Sequence, residues 1–166
     1  MSYSPLIQQL LDTIVDLLAT NFNAQLALCG QAPLPVSAFQ PLPPGDVTGD
    51  TIAVAWVRDR RALDASRGNR LTIADRDHDL LFVVEVWAFG PTDQAAQARA
   101  IACAFAIEQL FDLPEHRYLG GLADQPVIVG DTIAETAEDE QRSSLIWHLA
   151  IPLTCHVRTT RPEYQP

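Results

Sequence analysis

The chain has 166 residues, a formal net charge of −10 and 48% hydrophobic residues. The length fits one domain with a substantial core. The acidic balance argues against a nucleic-acid-binding protein, because phosphate contacts need clustered cations. We therefore expect a single domain over residues 1–166 without sequence-specific nucleic-acid binding. The last residues, 160–166, are expected to form a frayed polar tail.

The cysteines indicate neither a metal site nor a redox site. No C-x-x-C pair exists, and each cysteine lies in an apolar run, which is typical of small buried hydrophobic side chains: Cys29, Cys103 and Cys155. Folding in a reducing cytosol fits this pattern. The N-terminus lacks the pattern of a signal peptide, because no basic region precedes its apolar residues. The most apolar stretch, Ala100–Ile107, is too short to span a bilayer.

The first part of the chain predicts a helix followed by a loop. Apolar residues at helical spacing predict a helix over Pro5–Ala19, with Ser4 as its N-cap. Asn21–Asn23 is expected to end this helix, and Gln25–Cys29 is a candidate for a short strand. The five prolines of Gln31–Asp50 predict a loop that crosses the surface.

Two predicted strands flank a charged segment. Thr51–Arg58 and Leu80–Phe89 have the composition of β-strands, and Asp59–Asp79 between them predicts a long charged hairpin arm. Six of the eleven arginines lie in or beside this arm, so we expect it to contact a neighbouring subunit or another protein. These candidate interface residues are Arg58, Arg60, Arg61, Arg67, Arg70 and Arg76.

The strand Leu80–Phe89 carries large apolar side chains on both of its faces. Helices of the same chain can cover one face, but a bare second face would be a larger apolar patch than soluble monomers usually tolerate. We therefore expect subunit contacts on the face that includes Trp87 and Glu85. An unpaired buried carboxylate is costly, so Glu85 needs a partner. An arginine of the same fold and a salt bridge across a subunit interface are both open.

The second half of the chain predicts one more helix and two more strands. Thr92–Phe111 predicts an alanine-rich helix whose apolar surface is nearly all-round, which implies cover on more than one side. A strand begins at Pro126–Val129 and continues towards Ile133, and Glu135–Arg142 predicts an acidic turn or arm. Ser144–Arg158 alternates as a long strand, in which Pro152 indicates an edge or a bulge.

This element order predicts an α+β fold. We expect a mainly antiparallel sheet with two helices packed on one face, a sandwich that contains a split βαβ arrangement, and a long charged β-hairpin arm.

The sequence does not indicate catalytic chemistry. Asp75, Asp77, His78 and Asp79 form the only dense cluster of possible metal ligands, but the apolar strand that follows breaks the pattern of a calcium loop. We interpret this cluster as part of a solvated arm, and a metal or partner site is the alternative. The four histidines are interpreted as ordinary surface or interface residues. We predict no catalytic, cofactor or metal site, and therefore no enzyme.

The layout resembles the tail terminator family of tailed bacteriophages, whose members are also described as minor tail or neck proteins. The resemblance lies in the first helix Pro5–Ala19, the strand and hairpin Thr51–Asp79, the strand-turn-helix Leu80–Phe111 and the closing strand Ser144–Arg158. It implies a structural virion protein. Members assemble into a hexameric ring that caps the tail tube and presents a docking face to the head connector.

The resemblance also implies partners and a location. The expected partners are further copies of the chain, the tail tube protein, a head–tail connector or neck protein, and a sheath protein if the tail is contractile. No membrane contact is expected. The protein would occur in the virion tail or neck, and in the host cytoplasm during assembly.

Two other functions stay open on sequence grounds. One is a different neck or head–tail joining protein, because Gln31–Asp50 is longer than expected for a terminator. The other is a dimeric α+β domain that binds a small molecule. An enzyme that uses Asp77, His78 and Asp79 with a metal is a third, weaker alternative.

Overall fold

The computed structural model describes residues 3–34, 50–61, 75–139 and 144–160. Within these residues, three α-helices and five strands form one α+β fold, as predicted. The helices are α1 (Tyr3–Leu17), α2 (Asn23–Leu28) and α3 (Asp93–Asp112). The strands are β1 (Thr51–Arg61), β2 (Asp75–Gly90), β3 (Ile128–Val129), β4 (Ile133–Asp139) and β5 (Ser144–Thr160).

The sheet is built around the long antiparallel pair of β2 and β5. Its strand order is β1-β2-β5-β3, and β4 pairs with the same edge of β5 as β3 does. The β2–β5 register runs from Asp75 opposite Thr160 to Gly90 opposite Leu145. Because β3 and β2 are both antiparallel to β5, they are parallel to each other with β5 between them. The unit β2-α3-β3 is therefore the predicted split βαβ arrangement.

All the helices pack on one face of this sheet. Successive side chains of a strand alternate between faces, and every second residue of β2 from Leu80 to Ala88 is fully buried. These residues share one apolar core with Leu10 and Ile14 of α1 and Ile107 of α3. The prediction of two helices on the same face is confirmed.

The N-terminal helix runs further than predicted. A π-helical turn, Leu18–Phe22, joins α1 directly to α2, so the predicted helix end at Asn21–Asn23 and the predicted strand at Gln25–Cys29 are wrong. The buried Phe22 and Leu26 extend the apolar stripe of the helix. The amide of Asn23 bonds to both the backbone N–H and the carbonyl of Leu34, each at 2.8 Å, so this residue does not act as a helix stop.

Arg99 joins three separate parts of the chain. Its Nε donates to Asp50 Oδ2 at 2.7 Å, and its terminal nitrogens donate to the carbonyls of Ala32 and Pro33 at 3.1 and 3.4 Å. The other oxygen of Asp50 accepts from the backbone N–H of Phe89 at 2.7 Å. Helix α3 therefore holds the segment after α2 and the start of β1 against the end of β2.

Both strands beside the predicted arm are longer than expected. Asp59–Arg61 belongs to β1 and pairs with Leu80–His78, while Asp75–Asp79 belongs to β2 and pairs with β5. The predicted arm Asp59–Asp79 therefore begins and ends as part of the sheet. Its central residues, 62–74, lie outside the described residues.

Strand β4 was expected to be an acidic turn. Ile133–Asp139 instead pairs with β5 from Ala150 to Ser144. As an edge strand, β4 can present charged residues to solvent, and charges on an edge oppose unwanted pairing. Residues 140–143, the rest of the predicted acidic segment, lie outside the described residues.

Pro152 lies at the point of β5 where its edge partner changes from β4 to β3. Its carbonyl accepts from the N–H of Gly130 at 2.8 Å, between the residues paired with β4 and those paired with β3. The nitrogen and carbonyl of one strand residue point to the same side, so the missing N–H faces this irregular junction. The proline therefore costs no regular ladder bond.

The turn from β2 into α3 depends on a glycine. A Cβ at Gly90 would lie 2.5 Å from the backbone nitrogen of Ala96. Thr92 caps the helix, because its side chain accepts from the backbone N–H of Ala95 at 3.2 Å. The strand can therefore enter the helix abruptly, which presses α3 against the sheet.

Candidate interaction surface

The face of the sheet away from the helices is apolar and only half-buried. We call this the open face, and it includes Leu81, Val83, Glu85, Trp87 and Phe89 of β2. All five are intermediate in exposure, whereas the alternate residues of the same strand are fully buried. The described helices lie on the opposite side. A single chain thus leaves an apolar sheet face partly in contact with water.

An aromatic and charged cluster lies at the centre of the open face. Trp87 and His148 are direct cross-strand partners, and their rings stack with centroids 4.0 Å apart at 21°. His148 also lies between two carboxylates. Its Nε2 is 3.8 Å from Glu85 Oε1 and its Nδ1 is 4.0 Å from Glu135 Oε2. Among the described residues, Glu85 thus faces an imidazole and not an arginine, which was one of the two alternatives open on sequence grounds; the other, a salt bridge across a subunit interface, stays a prediction.

This cluster contains polar atoms that form no hydrogen bond with the described residues. Nε1 of Trp87 and Nε2 of His148 are buried without a hydrogen-bond partner in the described structure. Burying a polar group without such a bond costs free energy. Sequence reasoning placed Trp87 and Glu85 on one face, but His148 was missed as their neighbour because the register of β2 on β5 is needed to find it.

His156 and His78 have fixed surroundings within the fold, whereas they were expected to be ordinary surface or interface residues. His156 Nδ1 lies 2.8 Å from Asp79 Oδ1, and these two residues are cross-strand partners next to the open face. His78 is only 3% exposed and belongs to the helix-covered side of the sheet. The segment Asp75–Asp79 is therefore part of a sheet strand, and His78 within it is buried where a solvated position was expected.

Within the described ranges, no three His, Cys, Asp or Glu side chains are placed to hold a metal ion. None of the helices described is both long enough and apolar enough to cross a membrane.

The candidate arginines fall into two groups. Arg58, Arg60 and Arg61 form the end of β1, and Arg76 lies at the start of β2 opposite Thr159. The remaining two, Arg67 and Arg70, lie outside the described residues. The four candidate arginines that the structure describes thus lie at one end of the sheet. The basic end of β1 belongs to an edge strand.

Helix α3 has an exposed apolar flank beside β4. Ile101 and Phe105 are 61% and 51% exposed, although the opposite side of the helix is buried. A groove of about 350 Å³ runs between this flank and the sheet, where Ala134 and Leu149 line it. Trp147 closes one wall and is fixed there, since its Nε1 donates to an oxygen of Asp93 at the start of α3 at 2.9 Å. The helix was expected to be apolar nearly all round. The exposed Ile101 and Phe105 are the part of that surface which the fold leaves uncovered, and they form a second uncovered apolar surface beside the open face.

Two cysteines are buried in the core. Desolvation raises the pKa of the Cys103 thiol to about 12, and burial raises that of Cys155 to about 12. The arginine one turn before Cys103 opposes the first shift. Cys29 is intermediate in exposure, so only two of the three cysteines match the expected buried hydrophobic residues.

No protein-family model and no curated protein matches this sequence. Among solved structures, the chain is similar to one from the virion of a native gene transfer agent particle. The TM-score is 0.44 and the sequence identity 17%, and the match covers 93% of this chain and 99% of the other.

Proposed function

We propose that this chain is a structural virion protein of a tailed phage-like particle, with the role of a tail terminator. In this role, copies of the chain form a closed ring that caps the tail tube and offers a docking face to the head or neck. The assignment to a tail terminator, the position at the tail end and the hexameric number come from the resemblance in element order. The role is structural and not catalytic.

The observation that carries the proposal is the half-buried open face. A sheet with helices on one side can place polar residues on its other side, but here the second side carries Leu81, Val83, Trp87 and Phe89. Contact with a second protein surface would remove this apolar area from water, which is the main favourable term in most protein association.

The exposed flank of α3 supports the same proposal. A closed ring needs a heterologous interface, in which one patch meets a different patch of the neighbouring copy. Two distinct apolar areas lie on the described part of the chain, the open face and the flank at Ile101 and Phe105. They lie on different sides of the sheet and are therefore two different patches, as a heterologous interface requires.

The function is tested in particles from a host that produces them. A strain that lacks this chain should make heads and tails that do not join, or tails of uncontrolled length, and the wild-type chain should restore joined particles. Trp87→Asp places a charge on the open face and should fail to restore them, although the variant folds. Normal particles from the deletion strain would contradict the proposed function.

A further inference from the structure

One imidazole lies between two carboxylates on the open face. Nε2 of His148 is 3.8 Å from an oxygen of Glu85, and Nδ1 is 4.0 Å from an oxygen of Glu135. A neutral imidazole carries a proton on only one nitrogen, so the lone pair of its other nitrogen faces a carboxylate here. A protonated imidazole donates from both nitrogens. The two carboxylates therefore match the donors of the protonated ring and not those of either neutral form.

The strand registers place no basic side chain beside this cluster within the described residues. β2 contributes Glu85 and β4 contributes Glu135, each next to His148, and the positions of β1 alongside are Thr51 and Ala53. With a neutral ring, the cluster therefore has two negative charges that no neighbouring cation compensates. Protonation of the ring compensates one of them.

A protein that covers the open face withdraws this cluster from water. The side chains of His148 and Glu85 are already only 18% and 24% exposed, whereas Glu135 is 74% exposed on its edge strand. Burying a carboxylate without a compensating charge costs free energy. One added proton makes the pair of Glu85 and His148 neutral, whichever of the two side chains holds it. A covered interface therefore favours the pair with the additional proton. A protonated ring also gains a cation–π contact, because it stacks on Trp87.

We propose that association through the open face takes up a proton at the pair of Glu85 and His148. Histidine is the side chain that ordinarily changes its charge between about pH 5 and about pH 8. Because coupling between two bound species is reciprocal, a contact that strengthens proton binding is itself strengthened by the proton. Copies of the chain therefore associate more tightly as the pH falls through this range. This inference rests on the self-association in the proposed function, and it adds a regulation by pH.

The association constant of the wild-type chain at different pH values tests the coupling. Sedimentation velocity at constant ionic strength should show at least about tenfold tighter association at about pH 6 than at about pH 8, since one proton per contact changes the constant by up to about tenfold per pH unit. Dilution calorimetry in phosphate and in Tris counts the protons directly, because the two buffers release different heats when they give up a proton. It should detect proton uptake on association.

Two variants separate this coupling from general charge repulsion. Glu85→Gln removes the buried charge, so its association should not change with pH and should be at least about fivefold tighter than that of wild type at about pH 8. His148→Gln cannot take up the proton, so its association should stay at the weak wild-type level of about pH 8 throughout. The matched controls are Glu115→Gln and His116→Gln in the connector after α3, which make the same chemical changes away from the open face. Both should keep the pH dependence of wild type.

The outcomes separate the proton coupling from the proposed function. Circular dichroism checks that each variant is folded, and if one unfolds, the proton count of the wild-type chain decides. If wild type associates equally at all pH values, or if His148→Gln keeps the full pH dependence, the coupling is wrong and self-association stands. If the wild-type chain stays monomeric up to about 1 mM at every pH, the proposed ring is overturned and the coupling with it.

Discussion

Alanine at Phe82 and at Trp87 should separate folding from assembly, because these residues lie on opposite faces of β2. Phe82 is fully buried among the core residues. Its replacement should cost about 3–5 kcal/mol of unfolding free energy, a large part of the stability of a small domain. Trp87 is half-buried and stacks on His148 at 4.0 Å. Losing this contact and part of its burial should cost the monomer about 1–2 kcal/mol.

The effect of the two substitutions on association should have the opposite order, with Trp87→Ala the more harmful. Urea unfolding at low micromolar concentration measures the fold, because bound neighbours would otherwise add to the apparent stability. Both variants should lower the midpoint without a change in the m-value. Sedimentation at high concentration then measures association, which Trp87→Ala should weaken far more than Phe82→Ala does in its folded fraction. If Trp87→Ala destabilises the monomer as much as Phe82→Ala and leaves association unchanged, the open face is not the assembly surface.

Three further predictions concern the fold itself. Gly90→Ala should lower the midpoint of thermal unfolding and reduce the free energy of unfolding by about 1–3 kcal/mol, because the new Cβ would collide with the α3 backbone. Unchanged stability would contradict this close approach. Arg99→Ala should cost about 2–3 kcal/mol in urea unfolding, since the ion pair with Asp50 is only 14% and 22% exposed; a loss below about 0.5 kcal/mol would count against this role. Iodoacetamide at about pH 8 should modify only Cys29 in the native chain, and Cys103 and Cys155 only after denaturation, and mass spectrometry can count the modified cysteines. The pKa of both buried thiols is raised above the unfolded value of about 9, so their contribution to stability is present below pH 9 and is lost as pH rises towards about 12. Stability that does not fall over that range would refute the pKa shifts.

The elements that were predicted well from the sequence have a clear pattern of apolar residues and a clear boundary. Leu80–Phe89 of β2 is a continuous apolar run, β5 alternates along its predicted length, and α3 begins after Gly90-Pro91, so these positions followed from local pattern alone, whereas Asp75–Asp79 of β2 did not. The α2 region was misread because asparagines near position 22 normally disfavour helix. Here the side-chain amide of Asn23 forms hydrogen bonds with the backbone of Leu34, eleven positions further along the chain. Tertiary structure thus overrides the local preference.

The candidate surface was predictable only in part. Alternation along β2 placed Glu85 and Trp87 on one face, and this needs no knowledge of the partner strands. The cluster with His148 and Glu135 depends on the registers of β2 and β4 on β5, which set the neighbours of each residue. β4 itself was missed because its charged composition resembles a turn, although edge strands often carry charges.

The mass of the wild-type chain in solution is the measurement that tests the central claim most directly. Sedimentation equilibrium from about 1 μM to about 1 mM should detect one closed oligomer with no larger series, since a ring with a heterologous interface closes on itself. The resemblance to tail terminators predicts six times the chain mass of 18.2 kDa. A monomer over the whole range, with the open face still exposed to solvent, would contradict the account.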